Sequence, residues 1–296
     1  MDLLQTAESP AALRERERRM ALWAQLIEAG GPLGIPGALL KTLGIYKGYQ
    51  GIYYDSGRTS SIAPEGVTVS VIHTGTRYDD DLCDDGVLYH YPDTDRPPGR
   101  DRNEIAATKN ALRFGLPIFV ITNGDSGGRD VHRGWVEGWS DEANWFLISF
   151  TETPTLPDTL NPADQLPDFQ LRETAKASLT LAATRPGQHR FKHFVFQRYG
   201  IQCAMCGVAS KELLDAAHLC PKRLGGSDDP RNGLVLCANH HRALDRGLVR
   251  IDPHTLEIQP IGDAAEILGI DRCDLTHLPS FPHPDALRWL AENTAT

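Results

Sequence analysis

The sequence predicts an α+β protein of two modules. The front module is a curved β-sheet domain with helices, and the second is a small strand–loop–strand–helix module stapled by a metal ion. Three observations carry this reading. Short apolar runs separated by Gly, Tyr, Asp and Pro fill residues 33–150. A proline-rich stretch without periodicity follows at 151–170. Four of the six cysteines then crowd into residues 203–237. A chain of 296 residues is long enough for one large domain or two ordinary ones.

The elements follow in order. Ser9 is a helix cap and Pro10 suits a first turn, so 9–29 is predicted as an amphipathic helix ended by Gly30-Gly31, with Leu13, Met20, Leu22, Leu26 and Ile27 close to one face. Strands are expected at Val67–Ile72, Val87–Tyr91, Leu116–Thr122 and Trp145–Phe150, and a helix over Glu104–Phe114, where alanines favour it. A short helix is expected within 171–184 and another from Gln188 to Tyr199. Leu213–Leu219 reads as a strand ending at His218, Leu234–Leu236 as its return, and Ala238 as the entry to a helix bearing His241 and Asp245. The predicted domains are 1–150, a linker at 151–182, 183–260, and an extension at 261–296.

Charge is uneven. The chain carries −9, yet from Arg185 to Arg250 eleven Lys and Arg face five acids, a net +6 that leaves −15 elsewhere. A basic module in an acidic protein concentrates phosphate attraction locally. No apolar run reaches the ~18 residues a membrane span needs, and no signal peptide is read at the N-terminus. A soluble cytoplasmic protein without membrane partners is expected.

Cys83, Cys203, Cys206, Cys220, Cys237 and Cys273 could suit a disulfide scaffold in a short secreted chain, but their crowding in a long one reads as metal binding. Cys203–Cys206 is a C-x2-C pair and Cys237–His240 a C-x2-H pair. Two such knuckles supply four soft ligands for a closed, structural tetrahedral Zn²⁺. Cys220, followed by Pro221, stands apart from them.

Between and after the knuckles, His218, Asn232 and His241 form a candidate catalytic set, with Asp245 one turn after His241 on the same helical face. A histidine titrates in the range needed to activate water at neutral pH. A cation stabilises the charge that builds on a phosphodiester during hydrolysis. Residues 185–255 resemble the HNH, or ββα-metal, endonuclease family in its zinc-bearing branch. The resemblance implies that His218 is the general base, that Asn232 holds the His218 loop, and that His241 ligates one divalent ion, Mg²⁺ or Mn²⁺. Asp245 is a second candidate ligand. Where many members place Asp or His before the first catalytic His, this chain has Ala217. Asp215, three residues before His218, faces the other way in a strand and would complete the shell if the strand bends.

In the front module, Gly44–Ile52, the run Arg77-Tyr78-Asp79-Asp80-Asp81 with Val87–Tyr91, and Asp130–Trp139 resemble the SRA domain, a base-flipping reader of modified cytosine. The resemblance implies that Tyr78 and Tyr91 sandwich the flipped base and that Asp81 accepts from the cytosine amine, which thymine lacks. Pro92 stands where a hydroxyl residue often completes that pocket.

The joint expectation is an endonuclease directed by 5-methylcytosine or 5-hydroxymethylcytosine in double-stranded DNA, its reach set by the linker. Because one HNH site cuts one strand, a homodimer at least on DNA is expected. An HNH nuclease indifferent to modification and a non-catalytic reader are the alternatives.

Overall fold

The computed structural model describes residues 9–48, 51–73, 82–94, 99–124, 127–153, 167–172, 187–262 and 264–293. The chain divides into two compact units, residues 1–158 and 159–296. The α+β class expected from the sequence is what the structure shows.

The first unit opens with α1 (Pro10–Glu28), where the Ser9 hydroxyl accepts from the Ala12 amide and Pro10 occupies the first turn. There follow α2 (Gly37–Thr42), β1 (Ile52–Tyr54), α3 (Ser56–Thr59), β2 (Thr68–Ile72), β3 (Leu82–Cys83), β4 (Gly86–His90), α4 (Arg100–Arg113), β5 (Ile118–Asn123), β6 (Arg129–Ser140) and β7 (Trp145–Ser149). The strands form one sheet in the order β1-β2-β5-β6-β7-β4-β3. Among the described residues only β2 and β5 run parallel, and α4 lies in the connection between them. The register shifts between Val136 and Gly138 where β6 meets β7, a bulge that increases local twist.

Alternation along β5 sets the two layers. Ile118 and Val120 enter the core that also holds Ala111 of α4, while Phe119 and Ile121 enter the core that holds Leu22 and Leu26 of α1. The helix α4 begins earlier than its alanines suggest, at Arg100. The face of α1 also differs from the expectation. Leu22 and Leu26 are buried, but Leu13, Met20 and Ile27 are exposed, and the remaining buried positions are Ala12, Glu15 and Arg19. Arg19 is wholly buried because its guanidinium donates to the carbonyls of Thr68 and Pro117 and to Glu15, at 2.6, 2.8 and 2.8 Å.

The second unit contains α5 (Gln188–Tyr199), the hairpin β8 (Leu214–His218) and β9 (Gly233–Cys237), and α6 (Ala238–Asp245) directly after it. A second hairpin, β10 (Val249–Ile251) with β11 (Ile258–Pro260), precedes α7 (Ala264–Leu268) and α8 (Pro284–Asn293). Residues 173–184 of the helix expected within 171–184 lie outside the described residues; Leu171 and Arg172 are not helical, and Arg172 bridges to Gly226. Among the described residues no helix is long and apolar enough to cross a membrane.

Candidate active site and metal centres

The hairpin places the two ends of the candidate site. Gly233 opens β9 with no room for a side chain: a Cβ there would meet Phe191 Cζ and Val195 Cγ2, both at 2.7 Å. That close packing seats α5 against the hairpin and brings the Phe191 ring over His218, with centroids 3.7 Å apart and planes 11° from parallel.

His218 ends β8 and its side chain is 18% exposed. Its Nε2 lies 3.0 Å from Asp228 Oδ1, and Lys222 Nζ donates to Asp228 Oδ2 at 2.5 Å. Burial would raise the Asp228 carboxyl, but hydrogen bonds from His218 and Lys222 and the Lys222 charge hold it below the ordinary carboxylate range.

Asn232 is completely buried and ties together the loop that follows His218. Its Oδ1 accepts from the Cys220 amide at 2.9 Å, and its Nδ2 donates to the carbonyls of Cys220 and Ser227 at 3.0 and 2.9 Å. Its own carbonyl accepts from the Leu219 amide. Gly226 allows the loop to close, because a Cβ there would collide with the Cys220 carbonyl oxygen.

Asp215 and His241 meet across β8 and α6. His241 Nδ1 is 3.1 Å from Asp215 Oδ2, and this contact lowers the Asp215 carboxyl below its ordinary value despite partial burial. His241 Nε2 is 3.8 Å from Asp245 Oδ2. The two carboxylates therefore address opposite nitrogens of one ring. As arranged, one cation can take His241 with Asp215 or His241 with Asp245, and the three do not converge on one point. Asp215 reaches His241 from the strand face opposite to the one His218 uses, as the alternation of β8 requires.

The cysteine knuckles close into one buried cluster. Cys203, Cys206, Cys237 and His240 offer ligand atoms that all lie within 4.8 Å of one another. His240 Nδ1 is 3.3 Å from Cys203 Sγ and 3.2 Å from Cys237 Sγ, and the sulfurs of Cys206 and Cys237 are 4.0 Å apart. A zinc tetrahedron with these donors has edges of roughly 3.5–3.8 Å, so the set fits the ion within a few tenths of an ångström. Burial pushes the Cys206 thiol up to about 12, with Cys203 and Cys237 adding to the rise. A bound cation reverses that penalty by holding the sulfurs as thiolates. His240 Nε2 faces the Leu268 carbonyl at 3.0 Å, which selects Nδ1 as the ligating nitrogen. Cys220 is buried outside the cluster, in keeping with its separation in the sequence.

In the first unit Tyr78 and Asp81 lie outside the described residues. Tyr91 follows β4 with its hydroxyl donating to Asp141 Oδ1 at 2.8 Å and its ring 4.5 Å from that of Phe146. Burial, with Asp141 added, pushes its phenol well above the ordinary tyrosine value, so it stays a donor. Lys109 donates to the same Asp141 carboxylate and stands 5.8 Å over the Tyr91 ring. A cleft of 430 Å³ in this unit is lined by Lys47, Tyr53, Tyr54, Ser56, Arg100 and Asn103.

The partners Asp228, Lys222, Phe191 and the Leu268 carbonyl were not legible as site components. Asp228 shares its identity with its neighbour Asp229, which instead caps the turn after it and pairs with Arg231 at 2.6 Å. Phe191 was visible only as an apolar position on a helix, and a backbone carbonyl has no sequence signature.

Over 88% of this chain and 92% of its own, the modification-dependent TagI restriction endonuclease aligns at 18% identity with a TM-score of 0.33. A complex of the SUVH5 SRA domain with hemi-methylated CG DNA aligns over 43% of this chain and 94% of its own, at 21% identity and a TM-score of 0.29. KRYPTONITE in complex with mCHG DNA and SAH aligns over 42% and 32%, at 19% identity and a TM-score of 0.29. No curated protein matches the sequence. Residues 203–252 match a family described as HNH endonuclease. That segment holds both knuckles, the β8–β9 hairpin and α6, and it is an HNH endonuclease domain through which the chain is a DNA endonuclease.

Proposed function

We propose that the chain is a modification-dependent restriction endonuclease. Its first unit flips a modified cytosine, 5-methylcytosine or 5-hydroxymethylcytosine, out of double-stranded DNA, and its HNH domain hydrolyses phosphodiester bonds nearby. The observation that carries the nuclease half is the loop from His218 to Asn232, bound at Cys220 and Ser227 by one buried amide so that His218 is held at the end of its strand.

In hydrolysis a water oxygen bonds to phosphorus as the bond from phosphorus to one sugar oxygen breaks. His218 accepts the proton of that water, and the leaving oxygen takes a proton from solvent. His241 with Asp215, or with Asp245 at the other ring nitrogen, would hold the divalent ion. When bound, Mg²⁺ or Mn²⁺ supplies positive charge to the phosphoryl and leaving oxygens. Cys203, Cys206, Cys237 and His240 would hold the structural zinc.

Support for the reader is the resemblance of 44–52, 77–81, 87–91 and 130–139 to SRA sequences. Tyr91 would stack on the flipped base opposite Tyr78, and Asp81 would accept from its exocyclic amine. Such stacking contributes about 1–3 kcal/mol per base and helps offset unstacking. A single HNH site cuts one strand, so a double-strand break calls for two copies of the chain on DNA.

The deciding experiment compares matched plasmids with and without 5-methylcytosine in Mg²⁺ or Mn²⁺, with EDTA as the control. Cutting of the methylated plasmid alone is expected. Equal cutting would remove the reader and retain an HNH nuclease indifferent to modification.

A further inference from the structure

Asp228 touches His218 but belongs to neither candidate metal centre. Its carboxylate accepts at one oxygen, Oδ1, from the His218 ring, and at the other, Oδ2, from Lys222. Both contacts lie inside the turn that Asn232 closes, and the Phe191 ring covers one face of the imidazole. Three constraints thus meet on one side chain: the stacked ring fixes the plane of His218, the strand end fixes its position, and Asp228 fixes its rotation in that plane.

We propose that Asp228 is a positioning residue for phosphodiester hydrolysis, setting which nitrogen of His218 receives the proton of water. This inference rests on the reading of His218 as the general base. An ionised Asp228 can only accept, so the proton of neutral His218 sits on Nε2 and the lone pair on Nδ1. When Nδ1 takes the proton from water, the resulting imidazolium keeps its Nε2–H on a carboxylate, which offsets the new positive charge. Lys222 keeps Asp228 in its ionised form, so the proton stays on His218 rather than passing to the acid. Phe191, approaching from α5, adds no charge of its own, so the charged groups shown facing the ring are Asp228 and, behind it, Lys222. A buried Asn232 alone would hold the loop without selecting a nitrogen.

The test compares the full-length wild type with Asp228→Ala, the near-isosteric Asp228→Asn and His218→Ala in saturating Mg²⁺ or Mn²⁺ on the DNA substrate that the wild type cuts. Zinc content and melting temperature identify which variants are folded. For Asp228→Ala the expected result is a fall in kcat of at least about tenfold, within the range a positioned base contributes, with KM for DNA changed less than twofold. The ¹⁵N resonances of His218 should report an Nε2–H tautomer in the wild type and a mixture in Asp228→Ala. Asp228→Asn loses the charge, and because Lys222 can only donate, its amide oxygen turns to Lys222 and its NH2 to His218 Nε2; it should reverse the tautomer to Nδ1–H and lower kcat at least as far as Asp228→Ala does. Wild-type kcat in a folded Asp228→Ala protein would overturn the proposal, as would an unchanged tautomer beside lost activity. Full activity in His218→Ala would instead overturn the general-base reading beneath it, so the two failures are distinguishable.

Discussion

Asn232 makes three side-chain hydrogen bonds with no exposure to water, and all three go to backbone groups of Cys220 and Ser227. Replacing it by Ala strands one donor and two acceptors in the interior, where each unsatisfied group costs about 1–3 kcal/mol. Asn232→Ala should therefore lower the stability of the second unit by a few kcal/mol, measurable by thermal denaturation. It should also reduce kcat more than KM, because the loop it holds carries Asp228 and ends at His218. A variant that melts like the wild type and cuts at the wild-type rate would show that the loop does not depend on this amide. The positions of His218, Asn232 and His241 at a strand end, in a turn and on a helix were readable from their spacing. The contact of Asp228 was not, because two consecutive aspartates look alike until the turn sends one toward His218 and the other to the Arg231 amide.

At the scale of elements, α1 shows how a helix can be anchored by charge where the pattern of hydrophobic residues suggests otherwise. A 3.6-residue repeat assigns the buried face to leucines, yet two of its five buried residues, Glu15 and Arg19, form an ion pair. Arg19 reaches past the helix to two backbone carbonyls at the ends of β2 and β5, and Arg18 pairs with the same Glu15 at 2.7 Å. No periodicity could reveal this, since burial here follows from partners supplied by distant strands. Arg19→Ala should destabilise the first unit by about 3–5 kcal/mol, because it leaves a buried carboxylate with one partner fewer. Burial alone would raise Glu15, but Arg18 and Arg19 more than offset this and hold it below its ordinary value. The sign follows from that depression: the stabilisation is complete above the unfolded value of about 4.3 and is lost as pH falls through the lower folded value. Melting temperature against pH should show the loss beginning at higher pH in Arg19→Ala than in the wild type. Coincident curves would count against the ion pair as the source. By contrast, α5 was legible from end to end, since its register is set by apolar residues that pack on the hairpin.

For the whole molecule, a basic segment at 185–250 inside an acidic chain was legible in composition, whereas the detailed pairing of seven strands was not. The order β1-β2-β5-β6-β7-β4-β3 sends β3 and β4 to the far edge after β2, a choice made by long-range packing and invisible in local runs. The clustering of Cys203, Cys206, Cys237 and His240 could be read in advance because four such residues at knuckle spacing have few other uses. The contribution of residues beyond 260 could not, since it consists of backbone groups: the Leu268 carbonyl on His240, and the Asp271 amide donating to the Met205 carbonyl between the first two cysteines.

His240 and His241 are consecutive, so one helical turn mounts a member of the buried cysteine cluster and the histidine of the proposed open site. Their accessibility to solvent differs greatly: the four residues of the cysteine cluster are buried, while the side chains of Asp215 and Asp245 are 52% and 51% exposed. Inactivation by a chelator should consequently proceed on two clocks. A fast loss of cleavage, reversed at once by Mg²⁺ or Mn²⁺, should come first; a slow loss should follow, in step with zinc release and unfolding of the second unit, and Mg²⁺ should not reverse it. Timed EDTA exposure followed by excess Mg²⁺, with zinc measured in parallel, separates the two. Full recovery at every time point despite complete zinc release would show that the fold of the nuclease module stands without its staple.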